Sequence, residues 1–351
     1  MKKKNSYIEA MRFIFIMVLL LHHTGSYGLS EYISNCPGGY IVVEFFYILM
    51  GAFTMAHIEK NRDKMTQPMG YGIQYTIGKL KRLFPYATVG TLGCYIWYIV
   101  RNHSGFDGLK SYFWFFTNML YETFFLSFSG AFVGQTSDFK NAPMWFLSAM
   151  FMTLPIIIFL AVKAEDFFKH YFVWFAPLLI YGWMIRSWGD FALWSDYKGF
   201  LYGGVVRAFA DITMGCGAYL VGEQIKKIGK YRALWTLLEL AVLCMVVYAC
   251  TLWPNNYHLV TIIICMALGI GISMSGISYT AVDNKLLDYL GGLAMPIYCL
   301  HWCVMTIVAD LMVERSVDEK IGVYVFTTIL LAVLMQALVK AIGKNKKMSN
   351  T

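Results

Sequence analysis

Ten runs of predominantly apolar residues follow one another along this chain, each close to the ~20 residues that a helix needs to cross a bilayer. They cover residues 6–28, 39–58, 83–100, 143–162, 172–188, 204–222, 233–253, 258–280, 291–312 and 321–342. In lipid each backbone N–H and C=O must find a partner inside the protein, so runs of this length predict helices. Only 14% of the 351 residues are charged against 58% hydrophobic, which excludes an ordinary water-soluble domain. The fold class is therefore all-α, a polytopic membrane helical bundle of about 10 transmembrane helices. The stretch 111–133 is also apolar, but Asn118, Glu122 and its many aromatic residues suit an interfacial or re-entrant segment. If it spans, the count becomes eleven.

Lysine and arginine placement orients the bundle, because cytoplasmic loops carry the positive excess. With the N-terminus inside, the cytoplasmic segments hold 19 of the 29 basic residues and the outer segments six. Both termini are then cytoplasmic, and the tail GKNKK agrees. The net charge of +8 reflects this orientation and contact with membrane lipid, and gives no argument for a nucleic acid partner. Arg12, His22 and His23 inside the first run, with no small-residue cleavage pattern after it, argue for a retained helix rather than a signal peptide. Neither an internal repeat nor an appended soluble domain is visible, so residues 1–351 are expected to form a single membrane-embedded domain. Of eight cysteines only Cys36 falls in an expected outer loop, too few for a disulfide framework. Cys299 and Cys303 flank His301, but at 100° per residue the imidazole points roughly opposite both, so no metal site is expected.

Ionisable groups within spans are costly and mark cavities, partners or pathways. The first run contains Arg12, His22 and His23, and the second contains Glu44. From Arg12 to His23 is eleven residues, three helical turns plus about 20°. Arg12 and His23 therefore share a face, about 16 Å apart along the axis, whereas His22 lies about 80° away. Glu44 sits at a depth comparable with His23, where a carboxylate can orient an imidazole and stabilise its charged form. The alternative is a buried carboxylate paired with some nearby cation. Arg207 and Asp211 are four apart on one helix face and are expected to neutralise each other. Glu239, Arg186 and Asp310 have no partner visible in the sequence. Lys79, Lys81 and Arg82 end the cytoplasmic loop expected before the third run, where the positive-inside rule alone places them. Their functional reading is a phosphate-binding patch, the weaker of the two on residue physics alone.

Taken together these motifs resemble the acyltransferase 3 family of integral membrane enzymes. Arg12 and His23 match its R-x10-H signature, and Glu44, Phe45, Phe46 and Gly51 resemble its second-helix pattern. KLKRLFP, with Arg82 and Pro85, is similar to the basic element before a proline in the third helix. Trp145 and Leu147 look like the start of its tryptophan-leucine helix, and GLAMPIYCLH, with Gly292, Tyr298 and His301, resembles a late G-x5-Y-x2-H element. Met50 stands where serine is usual, Lys79 where arginine is common, and Ala149 or a neighbour where an acidic residue is often found.

The resemblance implies a multi-pass acyltransferase of a bacterial-type cell membrane, inner or plasma. It moves an acyl group, most often acetyl, from acyl-CoA to a hydroxyl of a cell-envelope carbohydrate or lipid-linked glycan. It further implies Arg12, Lys79 and Arg82 as the donor-binding groups, His23 as general base and Glu44 as its orienting partner, with no metal. A different class, a proton-coupled transporter or flippase without acyl chemistry, would use the same intramembrane charges as a relay. The acceptor and the oligomeric state are not encoded in any motif.

Overall fold

A computed structural model describes residues 5–25, 29, 36–102, 109–127, 139–191, 193, 196–199, 201–252 and 256–348. Thirteen helices carry almost all of it. They are α1 (Ser6–His23), α2 (Val42–Asn61), α3 (Pro68–Arg101), α4 (Leu109–Thr123), α5 (Trp145–Lys163), α6 (Glu165–Phe167) and α7 (Val173–Trp188). There follow α8 (Gly203–Ile228), α9 (Arg232–Cys250), α10 (Asn256–Ser275), α11 (Lys285–Gly292), α12 (Ala294–Leu311) and α13 (Val317–Met348). A two-stranded ribbon of Tyr197–Lys198 and Leu201–Tyr202 is the sheet found among the described residues.

Nine helical stretches among the described residues are long and apolar enough to cross a membrane, and the chain is a polytopic helical membrane protein. The fifth expected span, 172–188, is not among these nine and forms a 16-residue helix, α7, entered through a π-helical turn at Phe168–Phe172. Gly189, at φ 76°, caps its end, its N–H donating to the Ile185 carbonyl. Of the stretch 111–133 the described part holds most of the 15-residue α4, a helix about 22 Å long and short of the ~30 Å hydrocarbon core, and residues 128–133 lie outside the described residues. The segment before the third run is not a loop. It is helical from Pro68, so α3 reaches 34 residues, about 51 Å, and carries Lys79, Lys81 and Arg82 on its own surface. Proline at the first helical position starts such a helix without losing a bond.

The chain packs as two compact units that interleave in sequence. One takes its residues from 1–22, 36–78 and 149–291, the other from 23–35, 79–148 and 292–351. In the first, α2 packs on α8 through facing glycines. A Cβ on Gly51 would sit 2.9 Å from the Gly215 Cα, and the reverse holds at Gly215. Small residues let backbones approach this closely and so replace the hydrophobic effect that lipid cannot supply. Glycine 222 and Gly271 do the same for α8 and α10, each facing a backbone carbonyl of the other helix. Phe15, Phe45, Tyr47, Ile48 and Ile212 fill the interior of this unit.

In the second unit α12 packs on α13, and a single turn at Ala142–Met144 leans on α12. Gly90 and Gly93 of α3 face Cys299 and Cys303 of α12. A Cβ on Gly90 would collide with the Cys299 carbonyl, and one on Gly93 would lie 2.6 Å from the Cys303 sulfur. The close approach brings the Y-x2-H element of α12 into a fully buried setting, with His301 0% and Tyr298 5% exposed.

Candidate active site

Helix α1 is uninterrupted from Ser6 to His23, so Arg12 and His23 do lie on one helix. Arg12 belongs to the first unit. Its Nη1 donates to Glu9 Oε2 at 2.7 Å, one turn earlier on the same helix, and its side chain remains 20% exposed. The i,i+3 spacing of Glu9 and Arg12 was available in the sequence as a pairing signal.

Glu44 also belongs to the first unit, and its pair there is with a cation, the alternative that its burial offered. Both carboxylate oxygens are taken by Arg207 of α8, Nε to Oε1 at 2.8 Å and Nη2 to Oε2 at 2.5 Å. Nη2 also donates to the Tyr40 carbonyl at 3.1 Å. The reason is the glycine contact just described. With α2 and α8 nearly touching, Glu44 lies opposite the buried guanidinium, and a two-pronged pair is the strongest arrangement open to both. Asp211, expected to neutralise Arg207, accepts instead from the Tyr181 hydroxyl at 2.7 Å. Nothing in the sequence pointed to Tyr181, which lies thirty residues away on α7.

Glu239 gains partners as well. The hydroxyls of Ser273 and Thr280 donate to its two oxygens, so the α9 carboxylate is tied to α10 and to the loop after it. Asp310, in the second unit, accepts from Trp97 Nε1 at 2.8 Å and pairs with Arg101 at 3.0 Å. These charges act as ties between helices. His22 is settled too, since its Nδ1 lies 2.8 Å from the Cys36 carbonyl. A carbonyl only accepts, so Nδ1 carries the proton.

His23, Lys79 and Arg82 belong to the second unit. Lys79 and Arg82 are three residues apart on α3, the first half-buried and the second exposed. His23 meets two side chains of α12. Its ring lies 5.2 Å from that of His301, centroid to centroid, and 5.1 Å from that of Trp302, the latter nearly perpendicular at 88°. His301 Nδ1 is 2.6 Å from the Tyr298 carbonyl, and the Tyr298 hydroxyl donates to the Pro143 carbonyl. The Pro143 turn is fixed in its own right, because the Asn141 N–H donates to Glu122 Oε1 at 2.9 Å and the Asn141 amide to Thr91 Oγ1 at 3.2 Å.

Within this unit Asn141 Oδ1, His301 Nε2 and the hydroxyls of Thr88 and Tyr324 are buried without a hydrogen-bond partner among the described residues, while Tyr95 and Glu122 face each other. Buried polar atoms are normally satisfied, so unsatisfied ones mark places where a ligand or water is accommodated. Glu122 and His301 stood out in the sequence as charges in apolar runs; Asn141 and Tyr95 carried no such signal.

A family model described as an acyltransferase domain matches residues 5–339. The chain belongs to the acyltransferase 3 family. No curated protein and no solved structure matches it. The chain is a multi-pass membrane acyltransferase, and the matched span includes all five residues expected at its site: Arg12, His23, Glu44, Lys79 and Arg82. Family membership also sets aside the reading as a transporter without acyl chemistry.

Proposed function

We propose that this acyltransferase of a bacterial-type cell membrane, with both termini cytoplasmic, moves an acyl group, acetyl first among the candidates, from acyl-CoA to a hydroxyl of a carbohydrate or lipid-linked glycan. The observation that carries this reading is the unbroken α1, which bears Arg12 and, three turns on, His23 beside two aromatic side chains of α12. Arg12, Lys79 and Arg82 bind the anionic phosphates of the donor. His23 is the general base. It takes the acceptor's proton as the acceptor oxygen attacks the thioester carbonyl, and returns it to the departing thiolate. Glu44 acts through its pair with Arg207, holding α2 on α8. A carbohydrate acceptor is rich in hydroxyl donors, and Asn141 Oδ1 is an acceptor of the kind that such donors satisfy.

The test is calorimetric titration of coenzyme A into the purified full-length protein, with Arg12→Ala and His23→Ala beside it. The expected result is saturable binding, weakened about tenfold or more by Arg12→Ala and left intact by His23→Ala. Folded wild-type protein that takes up no coenzyme A would overturn the donor assignment.

A further inference from the structure

An arginine side chain has many rotamers, and fixing it in one of them costs entropy at the moment a ligand binds. In Arg12 part of that ordering precedes any ligand. Its Nη1 donates to Glu9 Oε2 at 2.7 Å, the only hydrogen bond its guanidinium makes among the described residues. A guanidinium carries five N–H donors in one rigid plane, so this bond restrains the head and leaves most of its donors uncommitted.

Glu9 is the more buried partner, its side chain 9% exposed against 20% for Arg12. Helix α11 covers it. A Cβ at Gly291 would collide with the carbonyl and Oε2 of Glu9 and lie 2.5 Å from its Cβ, so glycine alone lets α11 come this close. The segment leading into α11 is tied to the first turn of α1 as well. The Ser6 hydroxyl donates to Asp288 Oδ1 at 2.7 Å and accepts from the Asn284 N–H at 2.8 Å. All of these residues belong to the first unit. A carboxylate beside a cation weakens the pull on an incoming anion, so a site that worked by charge alone would do better without Glu9. Direction is what Glu9 supplies.

We propose that Glu9 is a positioning residue for Arg12: packed against Gly291, it holds the guanidinium by Nη1 and presents the remaining N–H groups to the oxygens of a phosphate on the donor. The proposal rests on the reading of Arg12 as a donor-binding group. A restrained guanidinium meets two oxygens of one phosphate at once, the strong form of this contact, whereas a mobile one must first be immobilised.

Solid-state ¹⁵N NMR on the full-length protein, labelled with ¹⁵N-arginine and reconstituted in lipid bilayers, reads the pair without any donor. The Arg12 signals are identified by their loss in Arg12→Lys. A guanidinium held at one Nη turns slowly about its Cζ–N bonds and shows separate Nη resonances, whereas an unrestrained one shows a single average. Separate resonances are expected in the wild type and in Glu9→Gln, whose amide oxygen still accepts, and one averaged signal in Glu9→Ala. An averaged Arg12 signal in the wild type, or separate resonances that persist in Glu9→Ala, would overturn the proposal.

Calorimetric titration of coenzyme A then reads the consequence. Glu9→Gln and Glu9→Ala remove the same charge, so they differ in the acceptor offered to Nη1. Glu9→Ala is expected to bind roughly three- to tenfold more weakly than Glu9→Gln, the effect of immobilising one long side chain on binding. That difference should vanish when both substitutions are made in Arg12→Ala, because a residue that acts through Arg12 has nothing to act on there. Equal Kd in the two single variants, or a difference that survives in Arg12→Ala, would sink the positioning role, the second outcome assigning Glu9 to the packing of α1 on α11 alone. Folded wild-type protein that takes up no coenzyme A overturns the donor assignment and this role together. The arginine spectra, which need no donor, tell that failure from a failure of the pair itself.

Discussion

The two adjacent histidines at the end of α1 illustrate how one residue step separates a structural role from the proposed chemical one. His22 donates to the Cys36 carbonyl and packs on Gly39, where an added Cβ would lie 2.5 Å from its own. His23 meets His301 and Trp302. His22→Ala should therefore cost about 1 kcal/mol of stability, the worth of one hydrogen bond, and leave acyl transfer in place. His23→Ala should abolish turnover with little change in thermal unfolding. The Glu44–Arg207 pair makes a second residue-scale prediction. Both side chains are essentially fully buried, at 0% and 2% exposed, so removing either partner leaves a charge stranded in the interior. Glu44→Gln or Arg207→Met alone should lower stability by about 3–5 kcal/mol, and the double substitution should recover much of it. Thermal unfolding of the four proteins in detergent checks this. If the double variant also recovers acyl transfer, Glu44 works by holding α2 on α8; recovered stability without activity would give its carboxylate a direct part in the chemistry.

Helices in lipid associate through close packing, and the α2–α8 crossing shows what that demands of sequence. Gly51 and Gly215 meet with no room for a Cβ on either side. Gly215→Val should push the helices apart, break the Glu44–Arg207 geometry and yield little folded protein. Gly78, on the exposed surface of α3, has nothing within 4 Å of where a Cβ would be. Gly78→Ala should raise stability by up to about 1 kcal/mol, the helix propensity gained. Size-exclusion profiles and unfolding temperatures of the two variants, measured side by side, test both statements. The same scale explains where the sequence misled about α3. Lys79, Lys81 and Arg82 read as a loop because charge breaks an apolar run, yet lysine and arginine are good helix formers. The helix therefore continues to Pro68, and hydropathy marks the half suited to lipid rather than the end of the helix.

For the whole molecule, the charge asymmetry of its connections predicts which face looks inward. Cysteine introduced at Tyr197, 67% exposed in the ribbon before α8, should react with a membrane-impermeant maleimide on intact cells. Cysteine introduced at Lys230, between α8 and α9, should react only after permeabilisation, both read over the labelling of the native cysteines. The sequence by itself determined the helical membrane class, nearly all of the spans and the shared helix of Arg12 and His23. Each of these depends on periodicity and hydropathy within one segment, which twenty neighbouring residues are enough to express. Its motifs also reached His301, since Y-x2-H is a local pattern, although the partner of that imidazole was hidden. Only the tertiary structure decided that Glu44 pairs with Arg207, Asp211 with Tyr181 and Glu239 with Ser273 and Thr280, and that the ring of His23 lies against that of His301. Those partners stand from thirty to nearly three hundred positions apart in the chain. A buried polar group is satisfied by whatever helix packing brings within about 3 Å, and that packing is set by glycine contacts such as Gly51 on Gly215, which no single segment contains.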